Sequence, residues 1–257
     1  MQDELIEDEH LPLSRKSVLP GRGFFVPDSI DDVREEAEAE AALAGADVVV
    51  VADPDADGLA CVALIRETHG RAALLGTGPH ELEEGLDRVR EHADPGATVY
   101  VCDLCPDDVD VADPLATLVG DADAVHWYDH HQWDDEVAAA VRETGADLVV
   151  GRSEEECTAD VALRELDHDF PDRFTGLVAA TRDHDLWIRE DPRSDDLADY
   201  AYWAEPEEFV ETVRAHGADL PEPVMDYLAE KRVEKEALIE RAIDRGELVA
   251  VGDLTVG

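Results

Sequence analysis

Two hydrophobic periods alternate along the chain. Short apolar runs at DVVVVA (47–52), AALLG (72–76), ATVYVCD (97–103), AVHWYD (124–129) and ADLVVG (146–151) read as strands. Between them lie stretches with helical spacing, among them the segment opened by Gly58, GPHELEEGLDRVREHA (78–93) and WDDEVAAAVRET (133–144). Upstream, SIDDVREEAEAEAALAGA (29–46) carries helix signals: Ser29 as cap, acids in the first turn and Gly45 at its end. Strands alternating with helices predict an α/β fold, a parallel sheet with helices on both faces. Ligands in such sheets bind beyond the carboxyl ends of the strands. Past residue 190, RSDDLADYAYWAEPEEFVETVRAHG (193–217) reads as two short helices, and residues 224–251 as one long helix leading into a strand.

Composition changes this picture in one respect. The 44% hydrophobic content is ordinary for a core, but 65 Asp and Glu against 21 Lys and Arg give a net charge of −44 over 257 residues. The acids are interleaved with periodic apolar runs, which argues against disorder. Basic charge is almost all Arg, the lysines being Lys16, Lys231 and Lys235. Carboxylate-coated surfaces of this kind suit proteins of salt-accumulating halophiles, where self-repulsion is screened within about 3 Å at 1 M salt. The opening MQDELIEDEH is acidic where a secretory leader needs positive charge, and no apolar run approaches the roughly 18 residues of a membrane span. A soluble, cytoplasmic protein with no membrane partner is expected. Cys61, Cys102, Cys105 and Cys157 are too scattered for a disulfide framework and are expected to be reduced thiols.

The candidate chemistry sits at strand ends. Asp53, Asp55 and Asp57 follow the first strand in ADPDADG, Asp103 follows the third, and Asp129, His130 and His131 follow the fourth. If the first of these segments stays extended, its three carboxylates share one side. Like charges so close cost free energy unless a cation or protons lie between them. With no Lys or Arg among them, Asp and His together describe a divalent-cation site, the imidazoles shifting preference from Mg²⁺ toward Mn²⁺. Each piece alone also fits turn residues, helix caps or solvated acids.

Taken in order, ADPDADG, VCDLC, YDHHQ and ATRDHDLW resemble the four motifs of the DHH phosphoesterases, and of an archaeal, halophilic RecJ-like type in particular, across residues 46–190. The resemblance implies a DHH catalytic core over 29–190 that binds two divalent cations, Mn²⁺ preferred and Mg²⁺ accepted, through Asp55, Asp57, Asp103, His130 and Asp183. Many relatives carry His where this chain has Asp53, which is taken as a further ligand. His131 would contact the scissile phosphate or brace the ligands, with Asp129 acting behind them. The implied activity is hydrolysis of phosphodiester bonds in single-stranded nucleic acid, short oligonucleotides or nucleotides. The implied chemistry is acidification of a water and polarisation of phosphoryl oxygens by two ions. The alternative is a weakly active or non-catalytic scaffold among replication or repair proteins, which tight binding of two Mn²⁺ would oppose.

Two other readings fit less well. A haloacid dehalogenase also places D-x-D after a hydrophobic strand, but it needs a Lys near phosphate, and all three lysines here lie outside the strand-end set. The C-x-x-C of CDLC lacks a second cysteine pair for zinc and has acids where a reactive thiol wants positive charge. The implied domain plan is an extension over 1–28, the core over 29–190, a helical segment with linker helix over 191–245, and the start of a second domain over 246–257. No Gly-rich, His-containing substrate loop follows, so that last piece is expected to be either truncated or stripped down.

Overall fold

A computed structural model describes residues 28–245, 249–251 and 254–256. The chain runs α1 (Asp28–Leu43), β1 (Val48–Ala52), α2 (Ala56–His69), β2 (Ala73–Gly76), α3 (Leu82–His92), β3 (Thr98–Cys102), α4 (Ala112–Asp121), β4 (Ala124–Asp129), α5 (Asp135–Glu143) and β5 (Asp147–Val150). Five helices follow: α6 (Thr158–Glu165), α7 (Asp172–Asp185), α8 (Ser194–Trp203), α9 (Pro206–His216) and α10 (Glu222–Arg245). Two short strands, β6 (Val249–Val251) and β7 (Leu254–Val256), pair antiparallel. The first helix opens at Asp28, one residue before its expected Ser29 cap. The sequence expectations for residues 1–27 lie outside the described residues.

The five main strands form one wholly parallel sheet in the order β2-β1-β3-β4-β5. Helices cover both faces, as the alternation of elements predicts. The parity of β1 and its neighbours shows why the run of valines is unbroken. Val50, Ala52, Tyr100, Cys102 and Tyr128 face the layer of α2 and α6 to α9, while Val49, Val51, Val99, Val101 and Trp127 face α1 and α3 to α5. With apolar packing on both sides, no position of β1 is left for a polar residue.

Helix α2 is the pivot of the first layer. Every residue from Ala56 to Arg66 is buried, which explains its apolar character all round. Arg66 closes its far end with two hydrogen bonds to the Glu207 carboxylate of α9, at 2.6 and 2.8 Å, and one to the Ala72 carbonyl. Truncating a core leucine such as Leu64 to Ala would cost about 2–5 kcal/mol. Among the described residues no helix is long and apolar enough to cross a membrane.

The strand order reverses direction between β1 and β3: the chain goes from β1 outward to β2, then returns to β3 on the other side. A crevice opens at the carboxyl ends of the strands where such a reversal occurs. Asp53 and Asp103 stand immediately after the two strands that flank it.

Candidate metal centre

The turn after β1 does not stay extended. Asp55 caps α2 instead, its Oδ1 accepting hydrogen bonds from the backbone N–H of Asp57 at 2.8 Å and of Gly58 at 3.0 Å. The expectation that Asp53, Asp55 and Asp57 share one side of a strand is therefore overturned: the chain turns into a helix at Ala56, and Asp57 lies in its first turn. Gly58 permits this. A Cβ there would lie 2.2 Å from the Asp53 carbonyl oxygen, so only glycine lets the helix approach the strand end so closely.

Asp57 is 1% exposed. Its oxygens accept from the backbone N–H groups of Thr158, at 2.7 Å, and Ala159, at 2.9 Å, the first residues of α6. The positive end of a helix is thus turned on the chain's own carboxylate. Thr158 also donates its hydroxyl to Asp103 Oδ1 at 2.8 Å, so one residue fixes two buried acids. Asp103 adopts a left-handed backbone, φ 61°, at the end of β3, a conformation uncommon outside glycine that Asp and Asn tolerate best.

His130 stands among three carboxylates. Its Nε2 lies 3.3 Å from Asp185 Oδ2, 3.8 Å from Asp103 Oδ1 and 4.0 Å from Asp57 Oδ2. His131 is oriented differently. Its Nδ1 bonds Asp129 Oδ1 at 2.8 Å and lies 3.8 Å from Asp103 Oδ1. Asp129 is fully buried and accepts a second bond from Trp133 Nε1, so its carboxylate is held between ring and indole. Two sets of donor atoms, Asp57/His130/Asp185 and Asp103/His130/His131, each fall within 4.8 Å and share His130.

Charge is crowded here. Burial pushes the Asp57 carboxyl up to about 8, with repulsion from Asp185 and Asp55 adding to it against the α6 hydrogen bonds. Burial, then Asp57 and Asp55, hold Asp103 well above the usual carboxylate range. Asp53 rises to about 6 through burial and Asp55, and burial also raises Asp185 against the pull of His130. The hydrogen bond to Asp129 raises His131. Among the described residues, no Lys or Arg forms an ion pair with any of these acids. Two buried polar atoms, His130 Nδ1 and Asp185 Oδ2, have no hydrogen-bond partner. One imidazolium could not balance three carboxylates, whereas a divalent ion with Asp and His ligands would use the orphaned oxygen and relieve the crowding. The residues fit such an ion.

No family model and no curated protein matches this chain. Two solved structures are similar to it. One is an uncharacterized protein from Helicobacter pylori, at 15% identity and a TM-score of 0.48 over 74% of this chain and 62% of that one. The other is RecJ in complex with Mn²⁺ from Thermus thermophilus, at 15% identity and a TM-score of 0.49 over 89% of this chain and 42% of that one. The chain thus spans less than two thirds of the length of either.

Among the residues expected from sequence, the structure gathers Asp57, Asp103, His130 and His131, with Asp129 behind His131. Asp53 is half-buried and Asp55 exposed beside them, Asp55 close enough to raise the pKa of Asp53 and of Asp57. Asp183 goes elsewhere. Its Oδ1 accepts from Glu190 N–H at 2.9 Å, and its main-chain oxygen accepts from Ile188 and Arg189, so it anchors the turn after α7. Asp185, two residues on, stands beside His130 instead. The change of face is geometric: residues two apart on a helix point about 200° apart, so one of the two acids faces the cluster and the other leaves it. Thr158 also escaped the sequence reading, because α6 is eight residues long and RSEEECTAD offers little apolar periodicity to mark it. The CDLC cysteines are free: Cys102 is in the core, and burial, with Asp129 and Asp107, pushes the Cys105 thiol up to about 12. Cys105 is therefore not a poised thiolate.

Proposed function

We propose that this chain is a metal-dependent phosphoesterase that hydrolyses phosphodiester bonds in single-stranded nucleic acid or short oligonucleotides. The observation that carries this is the gathering of Asp57, Asp103, His130 and Asp185 at the switch point of a parallel sheet, from the strand-end motifs ADPDADG, VCDLC and YDHHQ and the end of α7. Asp57, Asp103, His130 and Asp185 would hold two divalent cations, Mn²⁺ or Mg²⁺, with the His130 imidazole on one of them and Asp53 and Asp55 at the rim. Bound there, such ions lower the pKa of water and neutralise charge on phosphoryl oxygens.

The chain's own residues contribute position and proton control. The α6 N-terminus and Thr158 lock the oxygens of Asp57 and Asp103 in a fixed frame, so little reorganisation is needed when a ligand arrives. His131 lines the cleft with Nδ1 committed to Asp129. That leaves Nε2 to donate to a phosphoryl or leaving oxygen, and the raised pKa keeps a proton available for it. On this reading residues 29–190 form the catalytic core and 191–245 a helical segment ending in a linker helix.

The test pairs calorimetric titration of Mn²⁺ with hydrolysis of an end-labelled single strand, using the protein and its Asp57→Ala, Asp103→Ala and Asp185→Asn variants, with circular dichroism to verify folding. Binding of Mn²⁺ and hydrolysis are both expected to collapse in folded variants. Hydrolysis that survives chelation, or full activity in folded Asp185→Asn and Asp103→Ala, would refute the assignment.

A further inference from the structure

The turn after α7 carries an unusual side chain. Trp187 is 73% exposed, which is ordinary for a lone surface aromatic; its place and its backbone are not. It lines the same open cleft of about 570 Å³ as His130, His131 and Asp185. The backbone is forced into the left-handed region at Trp187, φ 56°, and again at Arg189, φ 59°. For a bulky residue that is a costly conformation, and it persists only where the surroundings over-determine it. Asp183 supplies the determinants: its main chain and carboxylate together accept three backbone N–H groups from Ile188, Arg189 and Glu190. The Arg189 guanidinium lies 4.4 Å from the centroid of the Trp187 ring and covers one face of it.

An indole stiffened in this way, braced on one face by a cation and open on the other, is a stacking surface. Every nucleobase has a π-face to match it, and base–aromatic stacking is tolerant of sequence. We infer that Trp187 is a specificity-determining residue: it stacks a nucleobase of the substrate beside the metal centre, with Asp183 as its positioning residue and Arg189 as its brace. The inference rests on the phosphoesterase reading and deepens it, since it selects substrates whose scissile phosphate is flanked by a base over phosphodiesters without one. It also gives an acidic chain a means of gripping a nucleic acid that does not depend on Lys or Arg contacts to phosphate.

The experiment compares kcat/KM for a dinucleotide with that for the same molecule carrying an abasic residue, in the unaltered protein, Trp187→Phe and Trp187→Ala. The base-bearing substrate should be preferred about tenfold or more, the preference largely kept in Trp187→Phe and lost in Trp187→Ala, with Mn²⁺ affinity equal in all three. A second arm measures binding without catalysis. In Mg²⁺, a nucleoside 5′-monophosphate should quench tryptophan fluorescence at about tenfold lower concentration than ribose 5-phosphate, and Trp187→Ala should abolish the difference. Hydrolysis with a base preference that survives in Trp187→Ala would overturn this inference and leave the phosphoesterase reading standing. No hydrolysis of either dinucleotide, with the quenching difference present and dependent on Trp187, would overturn the phosphoesterase reading and uphold the stacking surface. Equal quenching by the two ligands in the unaltered protein would overturn the stacking surface whatever the activity.

Discussion

Replacing Gly58 with Ala should damage both stability and the metal centre, and the structure sets the size of the effect. The added Cβ would meet the Asp53 carbonyl oxygen at 2.2 Å and the Asp53 carbonyl carbon and nitrogen at 3.1 Å, the first more than an ångström short of the 3.4 Å at which ordinary contact begins. The obstacle is backbone, so no rotamer change relieves it. Overpacking costs about 1–3 kcal/mol, and a rigid obstacle places this case near the top of that range. Alanine's better helix propensity offsets about 1 kcal/mol. A net loss of about 2 kcal/mol should lower Tm by about 4–8 °C in a protein of this size. Relief requires the Asp53–Asp57 turn to move, so Mn²⁺ affinity should fall with it, by about tenfold or more for one misplaced carboxylate, equivalent to about 1.4 kcal/mol. Gly176→Ala in α7 is the matched control, because its Cβ would meet nothing within 4 Å and its φ is ordinary. That variant should gain about 0.5–1 kcal/mol. Melting curves with and without Mn²⁺, and calorimetric titration, compare the two. Equal Tm and equal Mn²⁺ affinity would show that the close approach of α2 to the end of β1 is not as described.

Thr158→Val removes the hydroxyl donor to Asp103 while keeping shape, and should cost about 1–2 kcal/mol in denaturant unfolding together with weaker Mn²⁺ binding. Metal-free protein should lose stability as pH rises from about 4 to about 8: the buried carboxyls have folded pKa values above their unfolded ones, Asp57 reaching about 8, so the folded state binds more protons across that window. Melts in chelator across that range test the sign, and Mn²⁺ should add most to Tm at the alkaline end. With a net charge of −44, the chain should melt at a higher temperature in molar KCl than in dilute buffer, and the reverse order would contradict a screened acidic surface.

Much of the framework can be read from the residues themselves, because both layers depend on period alone. Val48 to Val51 could only be a strand covered on both faces, and the five apolar runs all became strands of one parallel sheet. What period does not carry is direction at an element's end. ATRDHDLW contains two acids on one turn of helix, and the three hydrogen bonds that draw Asp183 into the following turn come from residues with no helical pattern. The ADPDADG turn has the same ambiguity, since an Asp before a helix is equally a cap and a ligand, and Asp55 turned out to cap. Thr158 reaches Asp103 across 55 positions, a distance at which one sequence gives no local signal.

The enclosure of α2 has a consequence for how the centre exchanges its contents with solvent. Amides of a helix buried from Ala56 to Arg66 and packed under α6, α7, α8 and α9 can meet water only when the whole layer comes apart, so their deuterium uptake should report global unfolding. Asp57 belongs to that slow unit. Asp185 is the last residue of α7 and borders the open cleft directly. An ion held between the two would exchange through the cleft on the side of Asp185, without waiting for the layer that holds Asp57 to open.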